Sequence, residues 1–403
     1  MICNGTTPIT LKTLHGRFEF KVQRLTDRLS PNQPDQTYFD LTAQFQEDYV
    51  SDRLKEFSAY YSNRLSYREV MGLVERVTGT PQLSDQKIRQ IVVNKALSIS
   101  QALQTEVEDP LKKETRSFPR IAGKVDIYDG GSREVLVFED AIQVRGQKEN
   151  RQHKQGVEQK LTDRDAEKTK TPAIQTDIVI LEKQDGGFEY ITAPINDRGH
   201  EAIPLPALVK SRVIQEYGKE VKPLPVVAIT DGAKVIRQHL GVVFGATLII
   251  ILDWYHLGKK VRDLMSMIAL TKEDQRRHLK FMFYQLWHGH IYTVLHYLKT
   301  KVQPKNQEKH LELIAYLEKH RSEIIDYRRR KKAGKPIGSG YMEKGCDQVI
   351  GRRQKKKGMS WREVGSRSLG LLKVAELNNH WEALWFPKEA ANDSSHLRLV
   401  SNL

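Results

Sequence analysis

The sequence predicts an α/β chain: a mixed five-stranded sheet with a helical insertion, preceded by a mainly helical N-terminal region. Three observations carry this. Between residues 134 and 252, short β-branched runs alternate with helical stretches. From Leu257 to about Tyr327 there is no strand signal. From Tyr38 to about Thr105, apolar residues recur at helical spacing.

The elements follow in order. Residues 8–25 (PITLKTLHGRFEFKVQRL) alternate as a strand pair with a turn near His15–Gly16. Residues 26–37, polar with two prolines, read as a linker closing an N-terminal unit of residues 1–37. Leu41, Phe45, Val50, Leu54, Phe57, Tyr60 and Tyr61 fall at roughly helical spacing. Ser66 caps a helix that ends at Gly79, with Glu69 three residues on completing a capping box. Ser84 caps another, with Asp85 in its first turn. Two helices joined by GTPQLS read as a helix-turn-helix or as an ordinary helical hairpin, and the basic charge of the chain favours the DNA-contacting alternative for residues 38–110.

Residues 106–130, charged and carrying Pro110 and Pro119, mark a boundary. Beyond it, Glu134–Val144, Thr176–Leu181 and Phe188–Thr192 read as strands. A helix follows around 201–219, then the buried-type strand Leu224–Thr230, a short helix Val235–Leu240 and the strand Ala246–Leu252. Three strands, helix, strand, helix, strand fit an RNase-H-like sheet. Its domain spans residues 120–256 and 336–385, interrupted by the helical insertion 257–335. After Gly338, a glycine-rich turn leads into a long basic helical region that ends near Trp385, and residues 386–403 form a polar tail.

The 403 residues allow two or three domains, and 39% hydrophobic residues suffice for a core. Lysine and arginine number 65 against 50 acidic residues, a net charge of +15 that points to a polyanionic partner: DNA, RNA or an anionic membrane surface. The membrane is the poorest of these, because the longest apolar runs, such as Ala246–Leu252, are far too short to span a bilayer. Only two cysteines, Cys3 and Cys346, stand far apart, so no cysteine-pair zinc site or disulfide framework is available. That cysteine usage, with no apolar signal-peptide core at the N-terminus, suits the cytoplasm.

Six acidic positions could carry chemistry. Asp231 ends the apolar strand VVAIT and is followed by Gly232, as in a crevice at the carboxyl end of a sheet or in a common Asp-Gly turn. Asp140 lies inside the first strand, where a carboxylate is costly unless paired or bound to a cation, and Glu139 must face the other side. Asp126 and Asp129 are weaker rivals. Asp253 and His256, in DWYH, share one helical face as a metal pair would, but the pattern also fits a helix N-cap with a first-turn histidine, which is the favoured reading. Glu343 opens a helix after the turn GSG and precedes the basic cluster.

The stretches EDAIQV, ITDGAKVI, ILDWYHLGKKV and PIGSGYMEKGCDQVIGRRQKKKGMSW together resemble the Mutator-like superfamily of DDE transposases, in particular bacterial insertion-sequence enzymes of the Kra-type and Lre-type groups. The resemblance covers about residues 60–385. It implies that Asp140, Asp231 and Glu343 are the three catalytic acids and hold two Mg²⁺ or Mn²⁺ ions. Asp253 and His256 match the family's Cys/Asp-x-x-His motif, and Trp287 falls within the insertion. The implied partners are the element's terminal inverted repeats and target DNA, engaged by a homo-oligomer in a synaptic complex at the nucleoid. The sequence departs from relatives in two places. Ala141 follows the first acid where glycine is usual, and only Cys3 stands where relatives often carry a zinc-binding cysteine module, as in a truncated copy or a branch without zinc.

Arg352, Arg353, Lys355, Lys356 and Lys357 are expected to meet the DNA backbone, although one helix cannot aim all five the same way. Two rival readings remain: an inactive, transposase-derived DNA-binding protein, and an RNase-H-like nuclease that cuts without joining.

Overall fold

The computed structural model describes residues 2–26, 34–41, 49–108, 117–147, 172–356 and 358–387. The alternating N-terminal segment forms the antiparallel pair β1 (Ile2–Thr13) and β2 (Gly16–Thr26), turning where Thr13 pairs with Gly16, and β3 (Gln36–Thr37) lines its edge. Part of the expected linker, residues 27–33, lies outside the described residues, as do the polar tail from residue 388 on and residues 109–116 of the expected boundary.

Helices α1 (Tyr38–Leu41), α2 (Asp52–Ser62), α3 (Tyr67–Thr78) and α4 (Asp85–Glu108) follow. The caps act as their residue types dictate. Ser66 and Glu69 close a reciprocal capping box on α3, Gly79 ends it in the left-handed region, and Ser84 accepts from the Lys87 amide. Leu54, Val70, Val74, Ile88 and Val92 from these helices join the same apolar core as one face of the central sheet. The N-terminal helices thus pack into the body of the molecule.

The central sheet contains β4 (Val135–Arg145), β5 (Ala173–Glu182), β6 (Phe188–Thr192), β7 (Val226–Thr230) and β8 (Ile249–Leu252), in the order β6-β5-β4-β7-β8. It is antiparallel through β6-β5-β4 and parallel through β4-β7-β8. Both faces are covered, which is why the parallel strands read as continuous apolar runs. Helices α5 (Leu205–Tyr217) and α6 (Lys234–Phe244) cover the face presenting Val135, Val137, Ala228 and Val179. Leu136, Phe138, Ile229 and Ile180 point to the other face, beneath the later helices.

The chain then runs wholly helical, as its sequence predicts, through α7 (Trp254–Ile268), α8 (Lys272–Trp287), α9 (Ile291–Lys301), α10 (Gln307–Lys319) and α11 (Tyr327–Lys332). Trp287 packs into this insertion against Trp254, with ring centroids 4.9 Å apart, and stacks on Tyr327. Helix α12 (Gly340–Cys346) lies over β4 and β5 and continues through a π-turn (Asp347–Gly351) into α13 (Arg352–Gln354). There it stops, so the long basic helix expected from the sequence is broken: Lys355 and Lys356 occupy a bend before α14 (Glu363–Leu377) and α15 (Trp381–Trp385). Repulsion between cations one turn apart opposes a continuous helix here. Among the described residues no helix is long and apolar enough to cross a membrane.

Candidate active site

In the parallel pair β4–β7, Phe138 is level with Ile229. The pairing ends there: Asp140 lies two residues further along β4, on the face of Phe138, and Asp231 directly follows Thr230, the last residue of β7. The Asp231 carboxylate accepts from the Ala233 amide at 2.8 Å, which makes a tight turn. Gly232 sits in that turn at φ +87°, with its α-carbon so close to the insertion that a β-carbon would stand 2.4 Å from His320 Cε1 and 2.9 Å from Leu252 Cδ1.

Glu343 comes from above the same face. Met342 and Cys346 anchor α12 in the core, and Gly345 lies so close to β5 that a β-carbon there would be 2.6 Å from Ile180 Cδ1. Tyr341 packs on Phe188 and Phe138 with ring centroids 4.8 Å and 5.9 Å away. These contacts leave the Glu343 side chain exposed.

The acids share one electrostatic field. Burial raises the Asp140 pKa, the Ala141 amide at 2.7 Å opposes the rise, and the negative charges of Asp231 and Glu343 add to it. His256 acts on the same group in the opposite sense, and Asp231 and Glu343 in turn help raise the His256 pKa after the larger effect of Asp253. An all-oxygen set of mutually repelling carboxylates suits a hard divalent cation. Among the described residues, however, no three His, Cys, Asp or Glu side chains are grouped as a ready-made metal cage. The rivals Asp126 and Asp129 are spent locally, accepting from the Tyr128 and Gly131 amides in exposed turns.

Asp253 is buried, and each of its carboxylate oxygens is engaged. Oδ1 accepts from the Tyr255 and His256 amides at 2.6 Å and 2.9 Å and so caps α7. Oδ2 accepts from both the amide and the hydroxyl of Ser339 at 2.5 Å. Burial alone would raise the Asp253 pKa, but these donors and the neighbouring His256 outweigh it and hold the carboxyl at about 2. The DWYH and GSG motifs are therefore one clasp that seats the start of the Glu343 helix. The Nδ1 atom of His256 stands 3.6 Å from Asp253 Oδ1, and the ring bridges the clasp and the acids electrostatically.

Sequence reasoning missed the network behind Asp231. Arg237 on α6 pairs with Glu323 at 3.1 Å, Glu323 contacts His320 at 2.6 Å, and the Glu323 carbonyl accepts from the Leu252 amide at 3.0 Å. Its one local trace is the spacing of His320 and Glu323. Glu139 faces away from the acids as alternation requires, bonded to His239 at 2.6 Å; burial pushes its pKa up to about 7 despite the histidine.

The basic cluster divides. Arg352 is exposed and pairs with Asp347 at 2.8 Å. Lys355 and Lys356 are exposed, and Lys357 lies outside the described residues. Arg353, expected to meet DNA, is instead buried. Its Nε donates to the Ser62 carbonyl at 2.7 Å, and its guanidinium lies against the Trp361 ring, because the N-terminal helices close over it.

No known protein family and no curated protein matches this sequence. Among solved structures the chain is similar to the Drosophila P element transposase strand transfer complex, at 12% identity over 84% of this chain and 82% of that one, with a TM-score of 0.26.

Proposed function

We propose that this chain is a DDE transposase of the Mutator-like superfamily, in the Kra-type and Lre-type insertion-sequence group. In this reading it cuts the ends of a mobile element and joins them to target DNA as a homo-oligomer. The observation that carries the proposal is that Asp231, directly after the strand paired with the Asp140 strand, and Glu343, on the helix packed over that strand, both act electrostatically on Asp140. The sheet order, antiparallel and then parallel, supports an RNase-H-like core.

Asp140, Asp231 and Glu343 would hold two Mg²⁺ or Mn²⁺ ions, whose chemistry when bound is to activate a water or a 3′-hydroxyl and to stabilise the leaving oxygen. The chain's own residues do the rest. The Asp231–Gly232 turn aims one carboxylate out of the sheet. The Asp253–Ser339 clasp fixes where the Glu343 helix begins. His256, whose protonated form the Asp253 contact favours, stands against the clasp.

Purified protein, given Mg²⁺ or Mn²⁺ and DNA bearing the element's ends, should nick those ends and join them. Asp231→Ala should abolish both steps while leaving DNA binding unchanged or tighter, since it removes a negative charge. Cleavage that survives Asp231→Ala would overturn the assignment of this site, and cutting without joining would make the chain a nuclease.

A further inference from the structure

Away from the acids, a cleft of about 480 Å³ opens where the N-terminal helices meet the loop before α14. Its lining comes from distant parts of the chain: Tyr67 on α3, Gln86 and Arg89 on α4, Gln147 after β4, and Ser360 and Arg362 on the loop. The walls are held in place. Buried Arg353 lies behind them, with its guanidinium 5.9 Å from the Tyr67 ring and 4.9 Å from that of Trp361. The Gln147 amide donates to the Trp361 carbonyl at 2.8 Å and its side chain to the Ser360 carbonyl at 3.1 Å, which fastens the loop to the end of β4.

Two cations at this cleft are unspent. Arg89 is half-buried and Arg362 exposed, and neither has an ion-pair partner among the described residues. A half-buried guanidinium is normally paired, so Arg89 without a counter-charge, beside exposed Arg362, leaves the cleft positive. Gln86 and Arg89, three residues apart on α4, share one helical face. Lys356, donating to the Arg64 carbonyl at 3.4 Å, keeps a further cation beside the start of α3. Each guanidinium offers a planar fork that matches phosphate oxygens.

We propose that this cleft binds the phosphodiester backbone of a DNA strand, with Arg89 and Arg362 each taking a phosphate and Gln86 and Ser360 supplying further hydrogen bonds. The identity of the strand rests on the transposase reading; the demand for paired phosphates does not. Anchored here, DNA runs along the junction of the N-terminal helices with the loop carrying Lys355 and Lys356. The contacts grip backbone and carry no base code.

The test uses the full chain in EDTA, so that nothing is cut, and fluorescence anisotropy with labelled random-sequence duplex over a series of KCl concentrations. The double variant Arg89→Ala/Arg362→Ala should bind roughly tenfold or more weakly, and its plot of log affinity against log salt should flatten by about 1.8, the loss of two phosphate contacts. Circular dichroism melts check the fold. If the double variant does not fold, the single changes Arg89→Gln and Arg362→Gln should each flatten the slope by about 0.9. A folded variant with unaltered affinity and slope overturns the proposal. So does a cleft that takes ATP, seen as a nucleotide-dependent rise in melting temperature in the parent but not the variant, while DNA affinity is the same in both. Cleavage assays on Asp231→Ala run separately: a parent that never cuts DNA sinks the transposase reading and leaves the binding result standing.

Discussion

Arg330 illustrates what happens to a charge when a core closes over it. It is fully buried, with its fork on Glu134 at 2.9 Å and 2.8 Å and its Nε donating to the Pro336 carbonyl. Arg330→Ala would leave Glu134 buried with Lys335 alone, and it should cost about 3 kcal/mol in urea denaturation. A loss under about 1 kcal/mol would show that the pair stabilises nothing. Asp253 gives a pH-dependent prediction. Its folded pKa, about 2, lies below the ordinary 3.8, so its contribution is complete above pH 3.8 and is lost as pH falls toward 2. That contribution is about 2 kcal/mol, and Asp253→Asn should flatten the acid limb of the stability profile in that window. At this scale, what the sequence reveals depends on distance along the chain. The caps at Ser66, Ser84 and Asp253 were legible because a cap satisfies amides two or three residues away. The inward turns of Arg330 and Arg353 were not: Arg330 meets Glu134 from 196 residues off, and a run such as RRRKK does not say which member faces in.

Among the elements, the strands were the most legible, because runs such as VLVF, VVAIT and IIIL are β-branched and too short for helices. Alternation also placed Glu139 and Asp140 on opposite faces. What stayed hidden was the return of the insertion onto the sheet, since His320 and Glu323 reach Gly232 and Arg237 by tertiary packing alone. The turn at Gly232 is the sharpest test of that packing. Gly232→Ala adds a β-carbon 2.4 Å from His320 Cε1 at a backbone angle that disfavours it, and should destabilise the protein by about 2–4 kcal/mol. Crowding of His320 would be confirmed if His320→Ala restored part of that loss. The basic region after Glu343 was read as one helix because its composition favours helix; the inward pull on Arg353 and the repulsion among its neighbours end it at Gln354.

At the scale of the whole molecule, the acids form a strained electrostatic feature in a chain whose net charge is +15. In metal-free buffer, Asp140→Asn should raise the melting temperature, because it removes a half-buried charge that Asp231 and Glu343 repel. Added Mg²⁺ or Mn²⁺ should raise the melting temperature of the parent by about 2 °C or more once the ion exceeds its dissociation constant tenfold, and should do so far less for Asp231→Ala. Equal shifts in parent and variant would place the ion elsewhere. The apolar core runs from the N-terminal helices into the sheet, so unfolding should be one cooperative event over these elements.

The clasp at Asp253 has a consequence for architecture. The Trp254 amide donates to the Ile337 carbonyl at 3.0 Å, beside the bonds from Ser339 to Asp253, so the chain leaves the sheet and re-enters it at the same point. Residues 254–338 are in effect a closed circuit, with the entropy of bringing its ends together already offset by the clasp. Segments of that circuit outside the His320, Glu323 and Arg330 contacts can change length without pulling on the acids, because the junction fixes its two ends. A lineage could remodel this excursion for new partners while the chemistry on the sheet stayed in register.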